Sequence, residues 1–66
     1  MKLKIDKDSD ALYLRLDDSK IIESEEVDSG VIIDFGIDGK VVAFELLNLS
    51  KRTTLEHLQN FQYESV

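Results

Sequence analysis

Cysteine, proline and tryptophan are absent from these 66 residues, and histidine and methionine occur once each. Without cysteine no disulfide can staple a small fold, and a Cys or Cys/His zinc site is excluded because a single histidine remains. The chain also lacks proline, low-complexity tracts and internal repeats, so no linker is marked and residues 1–66 read as one domain. No apolar run approaches the roughly 18 to 20 residues that span a bilayer. The start, Met1-Lys2-Leu3-Lys4-Ile5-Asp6, lacks the apolar stretch of a signal peptide. The expectation is a soluble, cytoplasmic protein with no membrane partner. Positive charge is scarce too, with 8 Lys and Arg against 14 Asp and Glu, a net charge of −6. The bases are scattered, Lys51-Arg52 being the one adjacent pair, so a phosphate backbone is repelled and nucleic acid is not expected as a partner. A folded chain of 7.5 kDa exposes roughly 4,200 Å² and hides only about 61% of its open-chain surface. A lone monomer is expected to be marginal, and with disulfides ruled out the supplement is self-association, a homodimer first of all.

What is present is alternation. Lys2 to Asp6 places Leu3 and Ile5 on one face, and Ala11 to Leu16 places Leu12, Leu14 and Leu16 on one face with Tyr13 and Arg15 on the other. Lys7-Asp8-Ser9-Asp10 between them is turn chemistry, which predicts a first hairpin. Ile21 to Val27 is a weaker strand, polar in its middle, and suits an edge. Asp28-Ser29-Gly30 predicts a three-residue connection into Val31. Asp38-Gly39 is a favoured two-residue turn, and taking it so pairs Phe35 with Val42, Ile33 with Phe44 and Val31 with Leu46. All six of those side chains then share one face. The opposite face carries Ile32, Asp34, Val41, Ala43, Glu45 and Leu47, a mixed surface suited to a subunit contact. Beyond Leu47 the period changes to Leu55, Leu58 and Phe61, and Thr53-Thr54-Leu55-Glu56 has the form of a capping box, so one short helix is predicted from about Thr54 to Phe61. The expected fold is mainly β: an antiparallel meander of about five strands with a short C-terminal helix.

Several residue groups merit weighing as sites. Asp6, Asp8, Asp10 and Asp17 echo calcium-loop spacing, but Ala11 stands where a glycine is needed and both flanks read as strands, so a hairpin turn is favoured. His57 has no partner fixed by spacing and reads as a solvent-facing helix residue. Glu23 and Glu25 share a strand face about 7 Å apart, and with Glu26 they form either a charged edge or a carboxylate site; the edge is favoured because so small a sheet offers no deep cleft. Tyr13 and Arg15 lie side by side, both residue types enriched at binding hot spots. Asp34 and Glu45 could receive Arg15 within the chain or across a dimer, and a structural ion pair is weighed slightly ahead of partner binding. From Ile21 to Gly39 there are six acids and no Lys or Arg, a stretch complementary to a basic partner and also suited to a plain solvated edge. No phosphate loop or nucleophile elbow is present, and no catalytic residue, metal site or cofactor is expected.

The blocks Asp10-Ala11-Leu12-Tyr13-Leu14-Arg15-Leu16, Glu26-Val27-Asp28-Ser29-Gly30-Val31-Ile32-Ile33-Asp34-Phe35 and Asp38-Gly39-Lys40-Val41-Val42-Ala43-Phe44-Glu45-Leu46-Leu47 resemble, in order and spacing, the small bacterial and archaeal domain-of-unknown-function family 2283. The resemblance runs from about Asp6 to Arg52 and leaves the helix outside. Phe35-Gly36-Ile37 departs from the more acidic turn usual in the family, and the tail after Arg52 is longer than in many members. The resemblance implies a mostly β protein without assigned activity, some of whose relatives are encoded beside small toxin-like proteins. The resulting expectation is a non-enzymatic binding protein, antitoxin-like, whose −6 charge suits a basic partner. The alternatives are a metal-dependent hydrolase with Glu23, Glu25 and Asp28 shared across subunits, and an oligomeric scaffold.

Overall fold

A computed structural model describes all 66 residues. The alternating segments become β1 (Lys2–Asp6), β2 (Ala11–Arg15), β3 (Glu23–Asp28), β4 (Val31–Phe35) and β5 (Val41–Leu46), followed by a 3₁₀ turn at Leu49–Lys51 and the helix α1 (Leu55–Gln59). All four pairings are antiparallel and build one open sheet in the order β1-β2-β5-β4-β3. The fold class is the expected one, while the strand order departs from a simple meander at one point. β2 pairs with β5, so the chain crosses the end of the sheet between residues 16 and 22 to reach the far edge. Arg15 holds that crossing: its Nε donates to the Asp17 carbonyl at 2.9 Å and its Nη2 to the Ser19 carbonyl. Leu16 donates to Val42 and Ile22 to Phe35, tying both ends of the crossing to the sheet.

The Asp38-Gly39 hairpin pairs Val31 with Leu46 and Ile33 with Phe44, as the alternation predicts, but Phe35 faces Val41 instead of Val42. The turn is one residue longer than expected: the Gly36 amide donates to Lys40 O and the Gly39 amide to Gly36 O, with Gly39 at φ 78°. A bulge at Val42 absorbs the extra residue, so the outer register survives. The β3–β4 connection is correspondingly shorter than expected, with Asp28 opposite Val31, Gly30 at φ 71° and a register shift between Glu26 and Asp28.

The helix is capped one residue later than the capping-box spacing predicts. Thr54 is the N-cap, its Oγ1 accepting from the His57 amide at 3.1 Å, and α1 ends at Gln59, two residues short of Phe61, with Asn60 as its C-cap. None of its residues is buried, and no helix is long and apolar enough to cross a membrane. The 3₁₀ turn is fixed more firmly. Asp10, at φ 53°, accepts from the Ser50 amide and hydroxyl at 2.9 and 2.7 Å, and its carbonyl accepts from Leu49. Leu49 is buried under this staple. The buried apolar core is small: Ala11, Val42, Ala43 and Leu49.

Candidate functional site: the polar face of the sheet

Strand register sorts the side chains into two faces. On the polar face one row runs Lys4, Tyr13, Glu45, Ile32, Glu26 and the next runs Lys2, Arg15, Ala43, Asp34, Ser24. Asp34 and Glu45 are therefore diagonal neighbours on β4 and β5, within reach of each other. Asp34 is only 2% exposed. Its Oδ1 accepts from the Ser24 hydroxyl at 2.6 Å. The hydrogen bond with Asp34, with partial burial and the Asp34 charge added, pushes the Glu45 carboxyl from its ordinary 4.5 up to about 7. Glu45 therefore gives up its proton much less readily than an ordinary glutamate.

Of the candidate residues, Tyr13, Arg15, Asp34 and Glu45 do come together on this face. The hydrogen bonding differs from the expected Arg15 ion pair with Asp34 or Glu45, since the guanidinium turns to the carbonyls of Asp17 and Ser19. The physical reason is the sheet crossing, whose carbonyls have no strand partners and need donors. Tyr13 takes a cation of its own, Lys4 Nζ lying 5.8 Å from the ring centroid. Lys2, Lys4, Tyr13 and Arg15 line a hollow of about 220 Å³ beside the carboxyl pair.

Glu23 and Glu25 fall on the other face, opposite Phe35 and Ile33. Glu26 accepts from the Gly30 amide at 3.1 Å and Asp28 from the Ser29 amide at 2.8 Å, so these two carboxylates cap their own turn. Glu23, Glu25 and Asp28 do not converge within the chain, and no group of three or more His, Cys, Asp or Glu is placed to hold a metal ion. Asp6 caps the first turn by accepting from the amides of Asp8 and Ser9, which, with Asp10 turned to Ser50, gives the hairpin turn the spacing favoured. His57 is exposed on α1.

Three side chains with structural roles escape the sequence reading. Asp10 and Ser50 meet across forty positions, and Arg52 joins the Leu47 carbonyl to the Ser29 carbonyl at 2.8 and 2.7 Å. No local pattern announces either contact. The Ser24–Asp34 bond was within reach, since the pairing of an edge strand containing Ser24 with β4 sets them opposite. Chemically the polar face offers a glutamate that holds its proton to an unusually high pH and a tyrosine with a lysine over it, without a nucleophile or a cleft enclosing them.

Residues 2–50 match the model of a family described as a protein of unknown function, DUF2283. The match takes in all five strands and stops before α1. No curated protein and no solved structure matches the chain.

Proposed function

Taking as premise that this chain belongs to the DUF2283 family, which has no assigned activity, we propose that it is a non-enzymatic binding module for a basic protein, of the antitoxin-like kind. One observation carries this reading. β3 is an outer strand, bonded to β4 on one side only, and all six of its residues, Glu23 to Asp28, are exposed. An open edge presents unpaired amides and carbonyls that a partner strand can join. Here that edge carries four acids, Glu23, Glu25, Glu26 and Asp28, and the chain from Ile21 to Gly39 contains no Lys or Arg. Two such acidic edges repel each other, which disfavours edge-to-edge self-pairing, whereas a basic segment gains both backbone bonds and charge neutralisation. Arg15 and Arg52 are engaged in holding the fold and do not offset the acidic edge.

The test is co-expression with a basic product of an adjacent gene, followed by co-purification and a growth assay. The expected result is a complex whose affinity falls with salt and drops roughly tenfold or more in E23K/E25K/E26K, since each reversal turns a rim attraction into a repulsion. Failure to recover any basic partner, or equal binding by the triple variant, overturns the proposal.

A further inference from the structure

The second face of the sheet has no layer over it. Across the strands one row reads Leu3, Leu14, Phe44, Ile33, Glu25, with Ile5, Leu12, Leu46 and Val31 beside it. A half-covered apolar face is expected to bury itself against another layer. The helix does not supply that layer. Leu55 and Leu58 reach the sheet at Ile5, where they line a cavity of about 360 Å³ that includes Leu49 but none of Leu3, Leu14, Phe44 or Ile33. Leu55 remains 55% exposed and Leu3 37%.

Two whole-molecule quantities give the size of what is missing. The accessible surface is 5395 Å², about 1,200 Å² above the value for a compact chain of this mass. The radius of gyration is 12.8 Å, against about 10.8 Å for a compact domain of this length. Two chains that each bury such an excess would hide about 2,400 Å², within the range of obligate homodimers. The exposed tail after Gln59 holds part of the excess, which still leaves room for a standard interface of about 800 Å² per partner.

We propose that a second copy of this chain stacks on this face, sheet against sheet, about a two-fold axis that runs along β5. β5 is the middle strand and Phe44 is the centre of its row, so the axis brings the two Phe44 side chains together. Charge selects the axis. Glu23 and Glu25 border this face at the β3 edge, while Leu3 and Ile5 border it at the β1 edge, Lys2 and Lys4 lying on the opposite face. A two-fold along the strands separates the two acidic edges and lays each over the partner's uncharged Leu3–Ile5 edge. A two-fold across the strands would lay Glu23 and Glu25 over their own copies, a repulsive arrangement in a partly desolvated rim. The contact leaves the outer backbone of β3 open, and although Glu23 and Glu25 serve both readings, F44D removes the dimer without changing an acid of β3, so failure of this inference is distinguishable from failure of basic-protein binding.

The absence of cysteine makes the test clean. The full chain should sediment as a dimer at micromolar concentration, and F44D should reduce that mass to a monomer while K4E, on the other face, leaves it unchanged. Because F44D could unfold the sheet, two single variants, L3C and E25C, are mixed and treated with a short bismaleimide that bridges the roughly 10 Å between stacked sheets. Cross-linking between L3C and E25C chains, with little between E25C chains alone, is the expected pattern. A monomeric mass at all concentrations assigns the face to another occupant and overturns the proposal. Efficient cross-linking of E25C to itself, or an oligomer without the mixed product, overturns it as well.

Discussion

Glu45 is the residue with the clearest thermodynamic signature. Its carboxyl titrates at about 7 in the folded chain and ordinarily at 4.5, so between those values the native state holds a proton that the unfolded chain has released. Stability contributed by this proton is complete at the acidic end of that window and is lost as pH rises through it. Asp6 and Asp17 act in the opposite sense. Their carboxylates accept hydrogen bonds from Ser9 and Ser19 that hold them below the usual 3.8, so their contribution is present above that value and lost in acid. The melting temperature should therefore fall between pH 5 and pH 8, and Glu45→Gln, which keeps a neutral donor toward Asp34, should flatten that fall; an unchanged slope in the variant would rule out Glu45 as its source. At Asp10 the prediction is energetic. Asp10→Ala removes both carboxylate bonds to Ser50 and should cost about 1–3 kcal/mol in urea denaturation. Asp10→Asn, which tolerates the left-handed backbone, should cost less. The sequence could place Asp34, Glu45 and Tyr13 on one face because alternation fixes faces. It could not assign Arg15, whose partners are carbonyls of a crossing that alternation does not describe.

Among the elements, those legible in the sequence were the ones whose pattern repeats. β1 has its expected span and β2 ends one residue early, and in β4 and β5 the pairs Val31–Leu46 and Ile33–Phe44 form as expected, because apolar alternation leaves one register that keeps the face intact. The turns were less legible. Asp38-Gly39 suits both a two-residue and a three-residue hairpin, and only the bulge at Val42 reveals which is used. The helix was read too long because Phe61 continues the period, yet after Asn60 no backbone bond extends it. Gly30 tests the tightest of these joints. An added Cβ there would approach Arg52 Nη2 to 2.7 Å on a backbone at φ 71°. Gly30→Ala should cost about 1–2 kcal/mol from the backbone alone, more once Arg52 loses Ser29, and a circular-dichroism melt measures it.

For the molecule as a whole, the deciding property is how little it encloses: seven residues are buried, and Asp34 is the one ionisable side chain among them. A chain that completes its core by pairing has a stability tied to its own concentration. Its melting temperature should rise over a hundredfold increase in protein concentration, and F44D should abolish that rise; a melting point independent of concentration would contradict the pairing. Length and missing cysteine are what led the sequence reading to expect self-association. The sequence favoured the mixed face as the subunit contact, whereas the proposed dimer uses the other face, since on the mixed face Asp34 is already buried and bonded to Ser24.

The position of β5 also governs how the molecule is made. It is the last strand to leave the ribosome and the one that lies between β2 and β4. Until Leu46 has emerged, the nascent chain holds two separate hairpins with nothing to join them, each a marginal structure in water. Completion of the sheet must therefore wait for a late insertion across a long loop, a topology that slows assembly. A ribosome stalled before Val41 would display both halves with their inner edges bare.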